Sequence, residues 1–222
     1  MRNASKESIE PRWPLALVLF GFIALTVVLR VVEPEREQLG PRWLVPTVEI
    51  ALLLALLAAD PMHIARRTRW LRPLAITLIL LLMGMVFVSD TVLLTDIITG
   101  SKLTQSATSI LASGALVWAG NALVFGLLYW ELDSGGPLAR YRGEHQYPDF
   151  AFPHQLSPEL APPGWRPHYV DYFVLGISTS CAFSPTDVMP MRNWAKLTMS
   201  VQSLISLTVL GLVIARAVNA FT

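Results

Sequence analysis

Long apolar runs at 13–32, 43–59, 73–94, 107–130 and 193–221 leave this chain few folds to choose from. A helix rises ~1.5 Å per residue and the hydrocarbon core of a bilayer is ~30 Å thick, so runs of about 18 residues or more read as membrane-crossing helices. The composition agrees, at 53% hydrophobic residues over 222, with a mean hydropathy of +0.50. One integral membrane domain covering residues 1–222 fits this better than several soluble ones. A sixth segment, 169–183, is shorter and more polar. The sequence therefore predicts an all-α membrane protein, a bundle of about six hydrophobic segments with the fifth short and polar.

The first run follows Arg2, Lys6 and Arg12, as in a signal peptide, but it is too long and no small-residue cleavage site follows it. We expect a retained helix. The run 107–130 is rich in Ala, Gly and Ser (Ala112, Ser113, Gly114, Ala115, Ala119, Gly120, Ala122, Gly126). Small residues let helix backbones approach in lipid, which predicts a central position for it. Residues 133–168 carry many prolines and interleaved aromatics, among them Tyr141, Tyr147, Phe150, Phe152 and Trp165. A flexible linker would be Gly/Ser-rich and poor in aromatics, so we expect an ordered loop lying against the membrane face. Lys and Arg cluster before the first run, between 59 and 73 and within 133–168. The positive-inside tendency makes these regions, and the N-terminus, cytoplasmic.

The stretch 171–190 links that loop to the last helix. Asp171-Tyr172-Phe173 opens it, a hydroxyl run Ser178-Thr179-Ser180 follows, and it closes on Ser184-Pro185-Thr186-Asp187 and Pro190. This layout, with the following helix, resembles the pore region of potassium channels with its Gly-Tyr-Gly filter missing. Glycine supplies the dihedrals that aim filter carbonyls at an ion, whereas proline locks φ, so the resemblance does not extend to a potassium-selective filter. A second resemblance covers about the C-terminal half. Tyr129-Trp130-Glu131-Leu132-Asp133-Ser134-Gly135-Gly136-Pro137, Pro148-Asp149-Phe150-Ala151-Phe152-Pro153, Ala182-Phe183-Ser184-Pro185-Thr186-Asp187-Val188-Met189-Pro190 and Ala215-Arg216-Ala217-Val218-Asn219 resemble the motifs of a family of bacterial, largely actinobacterial, multi-span membrane proteins. That family has no established activity; the resemblance implies a multi-pass protein of the bacterial cytoplasmic membrane.

The same residues admit a plainer reading. Ser184 at N-cap, Pro185 at N1 and Asp187 at N3 are the chemistry of a helix start. The segment 169–183 reads as either a thin span or a re-entrant one. Charge placement favours a span and hence six crossings, with Arg216 snorkelling to the cytoplasmic face.

Ionisable groups within apolar runs are functional candidates by default, here Glu49, Asp90 and Arg216. Asn121, Gln202 and Asn219 read as polar contacts between helices. The single cysteine, Cys181, and four scattered histidines give no disulfide and no metal-ligand spacing, and no nucleophile–base motif or cofactor-binding loop is present. A net charge of +1 gives no pull toward nucleic acid. We therefore expect no enzyme and no cofactor. The leading expectation is a channel- or transporter-like protein with a polar path along Ser178, Thr179, Ser180, Ser184, Thr186 and Asp187. Glu49 or Asp90 would be its proton or cation site, in a homo-oligomer embedded in lipid. The alternative is a non-conducting scaffold that binds partner proteins through the Pro/aromatic-rich loop.

Overall fold

The computed structural model describes residues 13–32, 47, 71–100, 106–181 and 187–221. Glu49, Ser184, Thr186 and all but one residue of the expected 43–59 helix lie outside them. Four long helices dominate: α1 (Trp13–Val32), α2 (Leu71–Thr99), α3 (Ala107–Leu132) and a last helix of the same 29-residue length as α2. Between α3 and that last helix come two short helices, α4 (Pro137–Arg142) and α5 (Pro153–Leu156), and a half-length helix, α6 (Tyr169–Cys181). The last helix is α7 (Asn193–Phe221). A two-residue strand β1 (Phe150–Ala151) pairs antiparallel with β2 (Met189–Pro190), Phe150 opposite Pro190. The stretches Arg72–Thr99, Ala107–Gly135 and Asn193–Ala220 are long and apolar enough to cross a membrane, which marks the chain as a membrane protein.

Helix α3 is the axis of the bundle and packs against α1, α2, α6 and α7. Its small residues explain why. A Cβ on Gly126 would lie 3.1 Å from Phe173 Cα, and one on Gly114 2.6 Å from a methyl of Val213, so α6 and α7 sit where only glycine leaves room. Ser106 caps its first turn by accepting from the Ser109 amide. Helix α2 continues past the expected boundary at 94. Thr91, Thr95 and Thr99 each return a hydroxyl to the carbonyl one turn back, which satisfies their polarity without leaving the helix.

Helix directions follow from the contacts. Asp90 of α2 meets Asn121, and Arg72 reaches the turn after α3, so α2 runs opposite to α3. Gly21 and Phe22 of α1 face Leu123 and Gly120. Along α6, Tyr169 touches Trp130, Gly176 approaches Ala122, and Ser180 accepts from Trp118, so α6 also runs opposite to α3. Gln202 of α7 bonds Tyr129, and Val213 packs on Gly114, so α7 does the same. Helices α6 and α7 are therefore parallel and both begin at the Asp133 end of the bundle. Two successive crossings would be antiparallel, so the expected six-crossing arrangement does not fit this geometry. With 13 residues α6 is only ~20 Å long and stops near Trp118, about half-way along α3. Met189 follows Cys181 by eight residues and is back beside Phe150 at the starting end. An extended chain of that length reaches ~26 Å, enough to return. Asp187, expected inside a new helix, lies in a bend before β2 instead.

The apolar core is divided. One cluster, at the Asp133 end, joins Val18, Leu82, Leu127, Trp130, Tyr172 and Leu175; the other, at the far end, joins Leu93, Ile97, Ile110, Val117, Val209 and Val213. Buried polar side chains (Asp90, Asn121, Thr179, Ser180, Gln202, Ser206) lie along the helices where one cluster gives way to the other.

Candidate functional site

The half-length helix α6 and its return are the unusual feature of this chain, and three contacts hold them. The first is backbone against backbone. A Cβ on Gly176 would sit 2.7 Å from the Ala122 carbonyl and 3.0 Å from the Gly126 nitrogen. Glycine on both helices brings them to this distance, as small residues do in lipid-embedded pairs.

The second contact is Gln202, fully buried on α7. Its Nε2 donates to the Gly176 carbonyl (2.8 Å) and to Ser180 Oγ (2.7 Å), and its Oε1 accepts from the Tyr129 hydroxyl (2.5 Å). One amide thus ties α3, α6 and α7 together. Ser203 adds a bond to the Thr179 carbonyl and Trp118 one to the Ser180 carbonyl. Two of the last four carbonyls of α6, which a helix leaves without internal partners, are met by side chains of its neighbours.

The third contact is Asp133, where α3 ends. Its Oδ1 accepts from the backbone amides of Asp149 (2.9 Å) and Phe150 (3.2 Å) and from Ser134 Oγ (3.0 Å); its Oδ2 accepts from the Tyr172 hydroxyl (2.5 Å). Asp149 reciprocates, accepting from the Ser134 amide and pairing with Arg192 at 3.3 Å. Ser134 stands at φ 51°, a left-handed conformation that a serine holds here because its amide and hydroxyl are both bonded. Arg140 donates to the carbonyls of Trp130 and Asp133 and lies 5.0 Å above the Tyr172 ring. A cation at a helix C-terminus meets the partial negative charge there. The loop 133–168 also puts Phe150 and Phe152 into the core, edge-on to Tyr172. Tyr147, Leu156 and Leu160 remain outside.

Four of the six expected path residues lie among the described residues. Thr179 and Ser180 are buried, with the Ser180 hydroxyl bonded to Gln202 of α7; Ser178 is half-buried and Asp187 is exposed, and Ser184 and Thr186 lie outside the described residues. Asp90 is buried at mid-bundle, where the Asn121 Nδ2 reaches both its carboxylate oxygens (2.9 and 3.1 Å). Arg216 is half-buried at the end opposite Asp133, beside Gly100, and not at the end of the basic loop. Asn219, expected between helices, is exposed on α7. Asp133 and Asp149 were legible only as a helix stop and a loop residue. Comparison with protein-family models, with curated proteins and with solved structures finds no match to this chain.

Proposed function

We propose that this chain is one subunit of an oligomeric membrane pore, in which α6 and α7 form the conducting wall. The observation that carries the reading is the parallel pair: a half-length helix that enters from the Asp133 end, stops at mid-depth, and is followed by a full-length helix starting from the same end. Irregular backbone at membrane depth is tolerated where it lines a water-filled cavity or is buried in protein. One chain supplies one such return, so a pore needs several copies around an axis.

The chemistry favours cations. Helix α6 aims its C-terminal end at mid-depth, and a helix C-terminus carries partial negative charge. The half-buried Ser178 would line the narrow part, and the exposed Asp187 would stand at its mouth. Pro185 in place of a filter glycine argues for weak selectivity among cations. Among the described residues, Arg72, Arg140, Arg142, Arg166, Arg192 and Lys196 lie toward the Asp133 end, and Arg30 and Arg216 toward the other. By the positive-inside tendency the return therefore enters from the cytoplasm, in the cytoplasmic membrane of a bacterium. The scaffold alternative draws less support, because the loop 133–168 turns Phe150 and Phe152 inward instead of presenting them.

Two measurements test the reading. Single cysteines at Gln146, Ser184 and Ala220, with Cys181 replaced by Ala, should label from the cytoplasm at 146 and 184 and from outside at 220. Labelling of 184 from the side of 220 removes the re-entrant wall. Purified protein in liposomes should then pass monovalent cations, and Asp187→Asn should reduce that flux; liposomes that hold a cation gradient as tightly as empty ones exclude a pore.

A further inference from the structure

Away from the α6 return, the middle of the bundle holds one carboxylate among the described residues. Asp90 is 4% exposed on α2, between the two apolar clusters. Its bonding partner among the described residues is the Asn121 amide, whose single Nδ2 faces both carboxylate oxygens. Asn121 is itself 1% exposed, and its Oδ1 has no hydrogen-bond partner. Among the described residues no cation answers the carboxylate. On α3 the neighbouring turns are apolar apart from Asn121; on α7 the buried stripe presents Gln202, Ser206, Val209 and Val213; the described side chains of α1 are all apolar or glycine. Asp96, the next ionisable group on α2, lies nearly two turns further toward the far end. Phe22, Leu25, Val86, Ser89, Leu116 and Gly120 surround an apolar pocket close by.

We infer that Asp90 and Asn121 form an intramembrane proton-binding site, with the carboxyl group protonated at rest. An ionised carboxylate accepts at up to four lone-pair positions, and here one amide serves two oxygens. A buried charge without a counter-charge neutralises by taking up a proton. The neutral acid has an O–H to donate, and the acceptor it needs is at hand in Asn121 Oδ1. Half a turn of the amide exchanges Nδ2 and Oδ1, so the same side chain donates to the carboxylate and accepts from the acid. The step balances simply: a proton from the aqueous phase bonds to one Asp90 oxygen, the charge goes from −1 to 0, and release returns the proton to water. A metal ion fits less well, since hard cations take about six oxygens and the described side chains nearby offer two carboxylate oxygens, one amide oxygen and the Ser89 hydroxyl.

The site rests on α2 and α3 crossing a bilayer, not on the pore. The test is infrared spectroscopy of the full chain in lipid nanodiscs with carbon-13 in the aspartate side-chain carboxyl. Near neutral pH, where exposed aspartates are ionised, the wild type should show a protonated-acid C=O band that moves in heavy water. Asp90→Asn, which keeps the shape of the side chain, should abolish it, and Asn121→Leu should shift its frequency. No such band in the wild type overturns the site, a reading that needs no variant. A band that survives Asp90→Asn belongs to another aspartate and overturns it equally. A band lost when sodium replaces choline at constant pH reassigns the site to a metal cation. Ion flux is not read here, so either proposal can fail with the other intact.

Discussion

The two halves of α3 live in different surroundings. From 120 to 131 every residue but Leu123 is buried, whereas from 107 to 119 buried positions alternate with exposed or half-buried ones. Both halves touch α2 and α7. The difference is α6, which covers α3 from Trp130 to Trp118 and then stops. A full-length neighbour would have enclosed both halves alike. Burial along one helix thus reports how far the next one reaches, and the half-length helix leaves its mark as a change of environment at mid-bundle.

The comparison breaks most completely if α6 loses its anchor. Asp133→Ala removes the acceptor for two backbone amides, a serine and the Tyr172 hydroxyl, all in a buried setting. Leaving several such donors unmatched costs about 3 kcal/mol or more. We expect a large loss of thermal stability in detergent. Hydrogen exchange should quicken at 120–132 and hold steady at 107–116, because only the first stretch is covered by α6. Uniform acceleration along α3 would mean that the two halves are not independent.

Glycine substitution sharpens the same contrast. Gly176→Ala pushes a methyl to 2.7 Å from a backbone carbonyl that cannot move aside, and overpacking of that kind costs about 1–3 kcal/mol. Gly114→Ala meets Val213 methyls at 2.6 and 2.8 Å, which can turn away, so its cost should be smaller. Gly211→Ala has nothing within 4 Å and should be neutral or stabilising. Denaturation midpoints in that order would support the close α3–α6 approach; equal effects at 176 and 211 would remove it.

Between these lies Gln202→Leu. It keeps the bulk but strips the Tyr129 hydroxyl and the Gly176 carbonyl of their partner, for about 1–3 kcal/mol. Tyr129→Phe alone should cost less. The double variant should fall short of the sum, since the two groups share one bond.

Much of this was written plainly in the sequence. Helix bounds at Trp13, Val32, Asn193 and Phe221 follow from the change between apolar and polar composition, and the central place of α3 follows from its small residues. The direction of the return did not follow. Counting Lys and Arg assigns loops to sides but says nothing about how deep a short segment goes. Arg216 suits a cytoplasmic end only if α6 crosses. Asp133 hid for another reason. A carboxylate just past an apolar helix, before two glycines and a proline, looks like a stop signal, and it is one. Its burial comes from Asp149, Phe150 and Tyr172, which are distant in sequence and carry no local sign of the partnership.

The smallest effect concerns Arg192, which approaches Asp149 where the return rejoins the loop. The guanidinium side chain is 58% exposed and the contact is 3.3 Å, a surface pair of the kind worth about 0–1 kcal/mol. Arg192→Ala should therefore leave the denaturation midpoint nearly unchanged and be less visible still at high salt. The Ser134 amide holds the other Asp149 oxygen and the Met191 amide bonds the Asp149 carbonyl, so the end of the return stays pinned without the arginine. A loss of stability as large as that of Gln202→Leu would mean that the ion pair, and not the backbone bonding around Asp149, fixes where the return ends.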